Sequence, residues 1–136
     1  MNIDLTNLVT NIEEEKQIHE KFSLDQSIIE SSSIRLLKDT SFEGTITKLC
    51  DGNYEIVGKI QGIMILPDDI TLEDVEYPFS IEVSEKFSEE DKDGLNNLKI
   101  IQNKLDLTDF LWQNILVEIP LKVKSKNSEN LTFNGN

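Results

Sequence analysis

Residues 54–66 alternate between two kinds of side chain with a period of two. Glu55, Lys59 and Gln61 lie on one parity. The other parity is apolar or small at seven successive positions: Tyr54, Ile56, Gly58, Ile60, Gly62, Met64 and Leu66. This pattern is typical of a β-strand with one buried face and one solvent face. The chain must therefore build a sheet that covers one side of a core.

The segments on either side predict further strands joined by short turns. Residues 40–50 are rich in Thr, Ile and Phe, and the Asp-Gly-Asn sequence at 51–53 supplies the positive-φ positions of a tight hairpin. The Pro-Asp-Asp sequence at 67–69 turns the chain again, and residues 75–83 alternate as clearly as the first strand. Pro78 cannot donate to a strand ladder, so its position is expected at an edge or a bulge. The order predicts an antiparallel meander.

The C-terminal third predicts one apolar helix. Residues 98–101 are expected to be extended, and Asp106 is placed to cap the following turn, with Asp109 favoured by the positive end of the helix dipole. Pro120 ends the helix, and residues 121–123 are predicted as a last strand. Apolar residues occupy most of the circumference, which predicts burial on more than one side: Leu107, Phe110, Leu111, Trp112, Ile115 and Leu116.

The first 33 residues carry weaker patterns. Short apolar islands predict a helix over about 4–15. Residues 18–24 are predicted as a strand with His19 and Lys21 on one side and Ile18 on the other.

Together, these predicted strands and helices indicate an α+β fold: a mainly antiparallel, curved sheet or meander with one or two helices packed across it. We expect a single domain over residues 1–123 and a flexible polar tail over 124–136. Gly58 and Gly62 predict bends or close backbone approaches in the sheet.

The charge balance disfavours a nucleic-acid surface. The 26 acidic residues outnumber the 13 basic ones, which gives a net charge of −13, and Arg35 is the single arginine. Binding to a phosphate backbone needs clustered cations that displace counterions. Direct RNA binding is therefore expected to be weak or absent, and basic partners are favoured.

Other features indicate a cytoplasmic protein. Cys50 stands alone, so neither a disulfide within the chain nor a cysteine pair for zinc is expected. The longest apolar run, residues 63–66, is too short to span a membrane, and the N-terminus does not resemble a secretory signal.

No catalytic residue, cofactor or metal site is predicted. Asp91, Asp93 and Gly94 resemble part of a calcium loop, but Ile100 stands where that loop needs a bidentate glutamate. His19 is interpreted as a surface residue. Cys50 has no histidine or cluster of cations nearby in sequence and is expected to be a small packed side chain rather than a nucleophile. The chain is therefore not expected to be an enzyme.

The aromatic residues favour a core over a base-stacking platform. Trp112 with Phe110, and Tyr77 with Phe79, lie at spacings that a core explains. An alternative function remains open, in which the domain is a small-ligand or structural interaction module. Its pocket would be lined by Ile60, Met64, Phe79 and Trp112.

Two segments together resemble the bacterial YceD family, the large ribosomal RNA subunit accumulation proteins, in its low-GC Gram-positive branch. The first runs from Gly58 through the turn after Leu66 to Phe87. The second reads LDLT from Leu105 and ILVEIPLK from Ile115. The resemblance covers about residues 40–123. It implies a non-enzymatic factor that supports accumulation of large-subunit (23S) rRNA through rRNA processing or ribosome assembly.

The resemblance also points to a partner and a site. Many family members carry Cys-x-x-Cys at the turn where this chain has Asp68 and Thr71, so the metal role of those members does not carry over. Members usually continue past the position of Asn136, which implies a longer chain. A basic ribosomal protein or rRNA-processing nuclease is the expected partner. The expected contact residues are Pro67, Asp68, Asp69, Thr71, Leu72 and Glu73.

Overall fold

The computed structural model describes residues 1–89 and 98–124, which contain seven β-strands and three short α-helices. The strands are β1 (Asn2–Asp4), β2 (Glu15–Lys21), β3 (Leu36–Lys48), β4 (Asn53–Pro67), β5 (Asp74–Ser88), β6 (Ile100–Ile101) and β7 (Lys104–Asp106). The helices are α1 (Thr6–Val9), α2 (Gln26–Ile29) and α3 (Thr108–Glu118). The α+β class and the antiparallel character of the sheet are confirmed.

The main sheet is a four-stranded antiparallel meander in the order β2-β3-β4-β5. The turn between β3 and β4 is closed by Asn53 N–H, which donates to Cys50 O (3.2 Å). Asp51 and Gly52 adopt positive φ values of 59° and 74°, as the two central residues of a tight hairpin turn require. The predicted hairpin is therefore confirmed. Strand β3 begins earlier than expected, at Leu36, and carries an irregularity between Lys38 and Ser41.

The two faces of the main sheet differ as the alternation predicts. The apolar parity of β4 is buried, and Pro78 lies exposed on β5, an edge strand, as expected for a residue without an N–H. We call the opposite, solvent-facing side the open face. The buried face contributes these side chains to the core cluster: Phe42, Ile46, Tyr54, Ile56, Ile60, Met64, Leu66, Phe79, Val83 and Phe87.

A second layer covers this buried face. It contains a small sheet in the order β1-β7-β6, and α3, which packs against β5. The N-cap of α3 is Leu107, whose side chain makes no cap bond. Asp106, one residue earlier, accepts Thr108 N–H at its Oδ1 (2.9 Å), and this bond lowers the pKa of Asp106. Helix α3 ends before Pro120, as predicted. Its buried side chains belong to the same core cluster: Phe110, Leu111, Trp112 and Ile115.

Gly44 and Gly58 face each other across β3 and β4. A Cβ at Gly58 would lie 2.7 Å from Gly44 Cα and 2.9 Å from Phe42 Cζ. One at Gly44 would lie 2.6 Å from Val57 O. The predicted close backbone approach is therefore confirmed at Gly58, where a Cβ would overlap the carbonyl oxygen of Glu43. The phenyl ring of Phe42 also occupies the space beside both glycines.

The N-terminal prediction is wrong over most of its length. The helix expected over 4–15 is confined to Thr6–Val9, because Asn11 adopts a left-handed φ of 63°. After it, the N–H groups of Ile12 and Glu13 both donate to Asn7 O and close the helix end instead of extending it. The strand expected over 18–24 is present but begins at Glu15 and ends at Lys21.

The strand expected over 121–123 is also wrong, because Val123 bonds to Asp69 instead of to a neighbouring strand. Ile100 and Ile101 form a short strand within the extended segment expected at 98–101. The acidic loop with Asp91, Asp93 and Gly94 lies outside the described residues, as does the tail from residue 125. Within residues 1–89 and 98–124, no helix is long and apolar enough to cross a membrane.

Replacing Gly58 by alanine should destabilise the protein by about 1–3 kcal/mol, because the new Cβ would overlap backbone atoms of β3 that cannot move aside. Urea unfolding measures the change. Ser84→Ala on the exposed side of β5 is the matched control and should change stability by less than about 0.5 kcal/mol. Equal effects of the two substitutions would contradict the crowding at Gly58.

Stability should also fall at high pH through Tyr54. Burial, and the hydrogen bond that its hydroxyl donates to Glu89, raise the pKa of Tyr54. The folded protein therefore keeps the phenolic proton, while the unfolded chain releases it above about pH 10. The free energy of unfolding should then decrease by up to about 1.4 kcal/mol per pH unit. Urea unfolding at a series of pH values between 8 and 11 measures this decrease. Tyr54→Phe should lose less free energy of unfolding over this pH range than the wild type. An equal loss in the two proteins would contradict the role of Tyr54.

Candidate functional site

The turn between β4 and β5 is built around Asp68. The side chain of Asp68 is fully buried, and its Oδ1 accepts the N–H groups of Ile70 (2.7 Å) and Thr71 (2.8 Å). Its own N–H donates to Glu73 O (2.8 Å), and its carbonyl accepts Leu72 N–H (3.1 Å). A short polar side chain that bonds to amides two and three residues ahead is the usual way to close such a turn. Asp68 therefore shapes the turn from inside.

Asp69 connects the turn to the end of the described chain. Asp69 N–H donates to Val123 O (2.9 Å), and Asp69 Oδ2 accepts Val123 N–H (2.9 Å). This two-bond contact holds the segment after Pro120 against the turn. The position of Val123, which is buried, thus depends on a residue 54 positions earlier.

Arg35 supports the other side of the turn. Its Nη1 donates to Leu72 O (2.8 Å) and to Asp74 Oδ1 (2.6 Å). The bond to Leu72 holds that residue at a left-handed φ of 61°. Sequence reasoning missed this role, and the signal available to it was that Arg35 is the single arginine of an acidic chain.

The turn exposes two apolar side chains between carboxylates. Ile70 is 53 % and Leu72 63 % exposed, and Glu73 is exposed beside them. Pro67 and Thr71 are half-buried. Of the residues expected to contact a partner, Asp69, Leu72 and Glu73 are therefore exposed, and Asp69 also bonds to Val123. Asp68 is buried and holds the turn in shape.

An open groove of about 590 Å³ lies next to this turn. Lys38 Nζ donates to Glu76 Oε1 (2.9 Å), and this hydrogen bond raises the pKa of Lys38. The Arg35–Asp74 and Lys38–Glu76 pairs both line the groove, together with three other side chains: Gln26, Leu36 and Ile65. Because each cation is already bonded to a carboxylate, the groove offers little attraction for an anion.

The other candidate residues lie apart from the turn. His19 is exposed, and its Nε2 lies 3.1 Å from Glu43 Oε1. Cys50 is exposed in the β3–β4 turn, so its prediction as a packed side chain is wrong; the positive-φ turn that follows carries it into solvent. In the described ranges, no group of three or more His, Cys, Asp or Glu side chains could hold a metal ion.

The aromatic residues lie in or against the core. Phe79, Phe110 and Trp112 are buried, and Tyr77 is partly buried against them. The four side chains expected to line a ligand pocket all belong to the core cluster: Ile60, Met64, Phe79 and Trp112.

The fold and this turn define an α+β protein whose antiparallel sheet leaves one face open and presents two apolar side chains at one end. Comparison of the chain with protein-family models, with curated proteins and with solved structures gave no match. The geometry of the turn and the charge of the chain are therefore the basis for a functional proposal.

Asp68→Ala should destabilise the protein by about 1–3 kcal/mol, because it leaves the N–H groups of Ile70 and Thr71 without their acceptor. Asp68→Asn keeps an oxygen in place and should cost less. Glu85→Ala, an exposed carboxylate on β5 remote from the turn, controls for the loss of charge. Urea unfolding midpoints rank the three variants, and an Asp68→Ala midpoint equal to that of the control would refute the structural role.

Proposed function

We propose that the protein is a non-enzymatic, cytoplasmic factor that supports accumulation of large-subunit rRNA by binding a basic protein partner. The partner would be a basic ribosomal protein or an rRNA-processing nuclease. One observation carries the interaction part of the proposal: the turn after β4 is held in a defined shape while it exposes Ile70 and Leu72 beside carboxylates. The ribosomal part rests on the resemblance of residues 40–123 to the YceD family.

The turn has the composition of a protein contact. Exposed apolar side chains on a preformed turn lose little conformational entropy on binding and gain by burial. Carboxylates around them, such as Glu73, favour a basic partner and increase its association rate. With a net charge of −13, the whole molecule adds to this attraction.

The absence of the family's cysteines is compatible with a formed turn. Asp68 and Thr71 stand where many members have Cys-x-x-Cys, and Asp68 Oδ1 accepts the N–H of Thr71 (2.8 Å). Hydrogen bonds donated by two backbone N–H groups to one buried carboxylate thus close the turn directly. A partner-binding role for this turn needs no metal.

Direct RNA binding is the less favourable route. Phosphate contacts need cations free of competing carboxylates. Arg35 is bonded to Asp74, Lys38 to Glu76, and Lys48 to Val9 O (3.1 Å) and Asn11 Oδ1 (2.9 Å). These bonds engage three of the cations of the described chain and support a protein partner.

Depletion of the protein should lower the ratio of large-subunit to small-subunit rRNA in cells. Re-expression of the wild type should restore the ratio, whereas Ile70→Asp and Leu72→Asp should not, because each places a charge in the apolar part of the contact. The left-handed φ of Leu72 is one that aspartate tolerates, so this variant should fold.

Ile101→Asp is the matched control, since Ile101 is 68 % exposed and lies outside the turn. It should restore the ratio as the wild type does. An unchanged ratio on depletion would overturn the ribosomal role. Full rescue by Ile70→Asp and Leu72→Asp would instead remove the turn from the partner contact.

A further inference from the structure

Strand β2 is an edge of the main sheet, and half of its backbone groups point outward. Lys48 N–H donates to Glu14 O (3.0 Å), and Phe22 N–H donates to Thr40 O (3.1 Å). Even-numbered residues therefore bond to β3, because bonded positions alternate along an antiparallel pair. The outward N–H and C=O groups belong to the odd-numbered residues of β2: Glu15, Gln17, His19 and Lys21.

The sequence of β2 is charge-complementary to its own reverse. It reads Glu-Lys-Gln-Ile-His-Glu-Lys, with Ile18 at its centre. If a second copy approaches antiparallel with a two-fold axis at Ile18, Glu15 lies opposite Lys21 of that copy, and Lys16 lies opposite Glu20. Every charged Glu and Lys side chain of the strand then faces the opposite sign. Directly opposed pairs of unlike charge stabilise antiparallel strands.

Neighbouring registers lose this match. With the axis at Gln17, Glu14 would face Glu20 of the second copy, and with the axis at His19, Gln17 would face Lys21. The Ile18-centred register also brings the outward groups of Gln17 and His19 together as a hydrogen-bonded pair. Backbone bonding is compatible with this register, and charge pairing selects it over its neighbours.

The other edge of the sheet is protected against such pairing. Strand β5 contains Asp74, Glu76, Glu82 and Glu85 against Lys86 alone, and it contains Pro78. Charges and proline on an edge strand are known devices against strand addition. Strand β2 has two glutamates and two lysines and no proline, so it is a locally neutral edge on a molecule of net charge −13.

We propose that the protein forms a symmetric dimer through β2, in which the four-stranded sheets of two copies join into one continuous antiparallel sheet. The contact is isologous, so each ion pair occurs twice. A single seven-residue strand edge is smaller than a standard protein interface, and the expected dissociation constant is therefore micromolar. The dimer leaves the turn at residues 68–73 uncovered, because that turn joins β4 and β5 at the far side of the sheet. This inference does not depend on the ribosomal role.

Sedimentation velocity of the full chain from about 1 µM to about 1 mM covers that range of affinity. The wild type should shift from monomer to dimer. Glu15→Lys and Lys21→Glu should each weaken the dimer about tenfold or more, since each converts two attractive pairs into two repulsive ones. An equimolar mixture of the two variants should form a heterodimer, because their new charges are complementary to each other.

The charge of the whole molecule serves as an internal control. Glu15→Lys makes the chain less acidic, so a weaker dimer cannot result from general repulsion. Glu85→Lys on β5 changes net charge equally and should leave the dimer intact, and unchanged urea midpoints exclude unfolding. A wild type that stays monomeric throughout, a dimer that Glu15→Lys does not affect, or a mixture that stays monomeric would each overturn the proposal.

Discussion

The close approach of β3 and β4 at Gly44 and Gly58 is the constraint on which the rest of the core depends. Because neither residue has a side chain, Phe42 can lie flat above both and remain fully buried. The apolar parity of β4 continues on either side of this contact and provides the surface on which α3 and the small sheet pack. The open face needs no second layer, since its side chains are mostly polar.

The parts of the fold that were predictable are those set by neighbours in sequence. Alternation along β4 and β5 and the Asp-Gly-Asn turn depend on local geometry, and the structure confirms them. The N-terminal helix was wrong because the chain turns at the left-handed Asn11, and the last strand was wrong for a non-local reason. Leu5 and Leu8 are fully buried in a core cluster built from distant strands, and Val123 is placed by Asp69, far away in sequence. Periodicity within a short segment cannot report such contacts.

The candidate site likewise combines features set by neighbours in sequence with features set by distant residues. Its position after β4 could be predicted from the Pro-Asp-Asp sequence, but the inward direction of Asp68 could not, because Asp and Asn at turns are found both in solvent and in internal bonds. The support from Arg35 links residues 37 positions apart and has no local pattern. The two surfaces proposed for binding, the turn and the edge strand β2, lie on different parts of the main sheet and can act independently.

The small sheet has a consequence for the order in which the chain acquires its structure. Asn2 pairs with Asp106, so β1 and β7 meet only after the intervening chain is brought together, whereas each strand pair of the meander joins consecutive segments. Loop-closure entropy delays contacts between distant segments. We therefore expect the meander to form first and the pairing of β1 with β7 to follow. Because β1 is held by only three residue pairs at the start of the chain, we expect it to separate from β7 before the main sheet opens when the folded protein fluctuates.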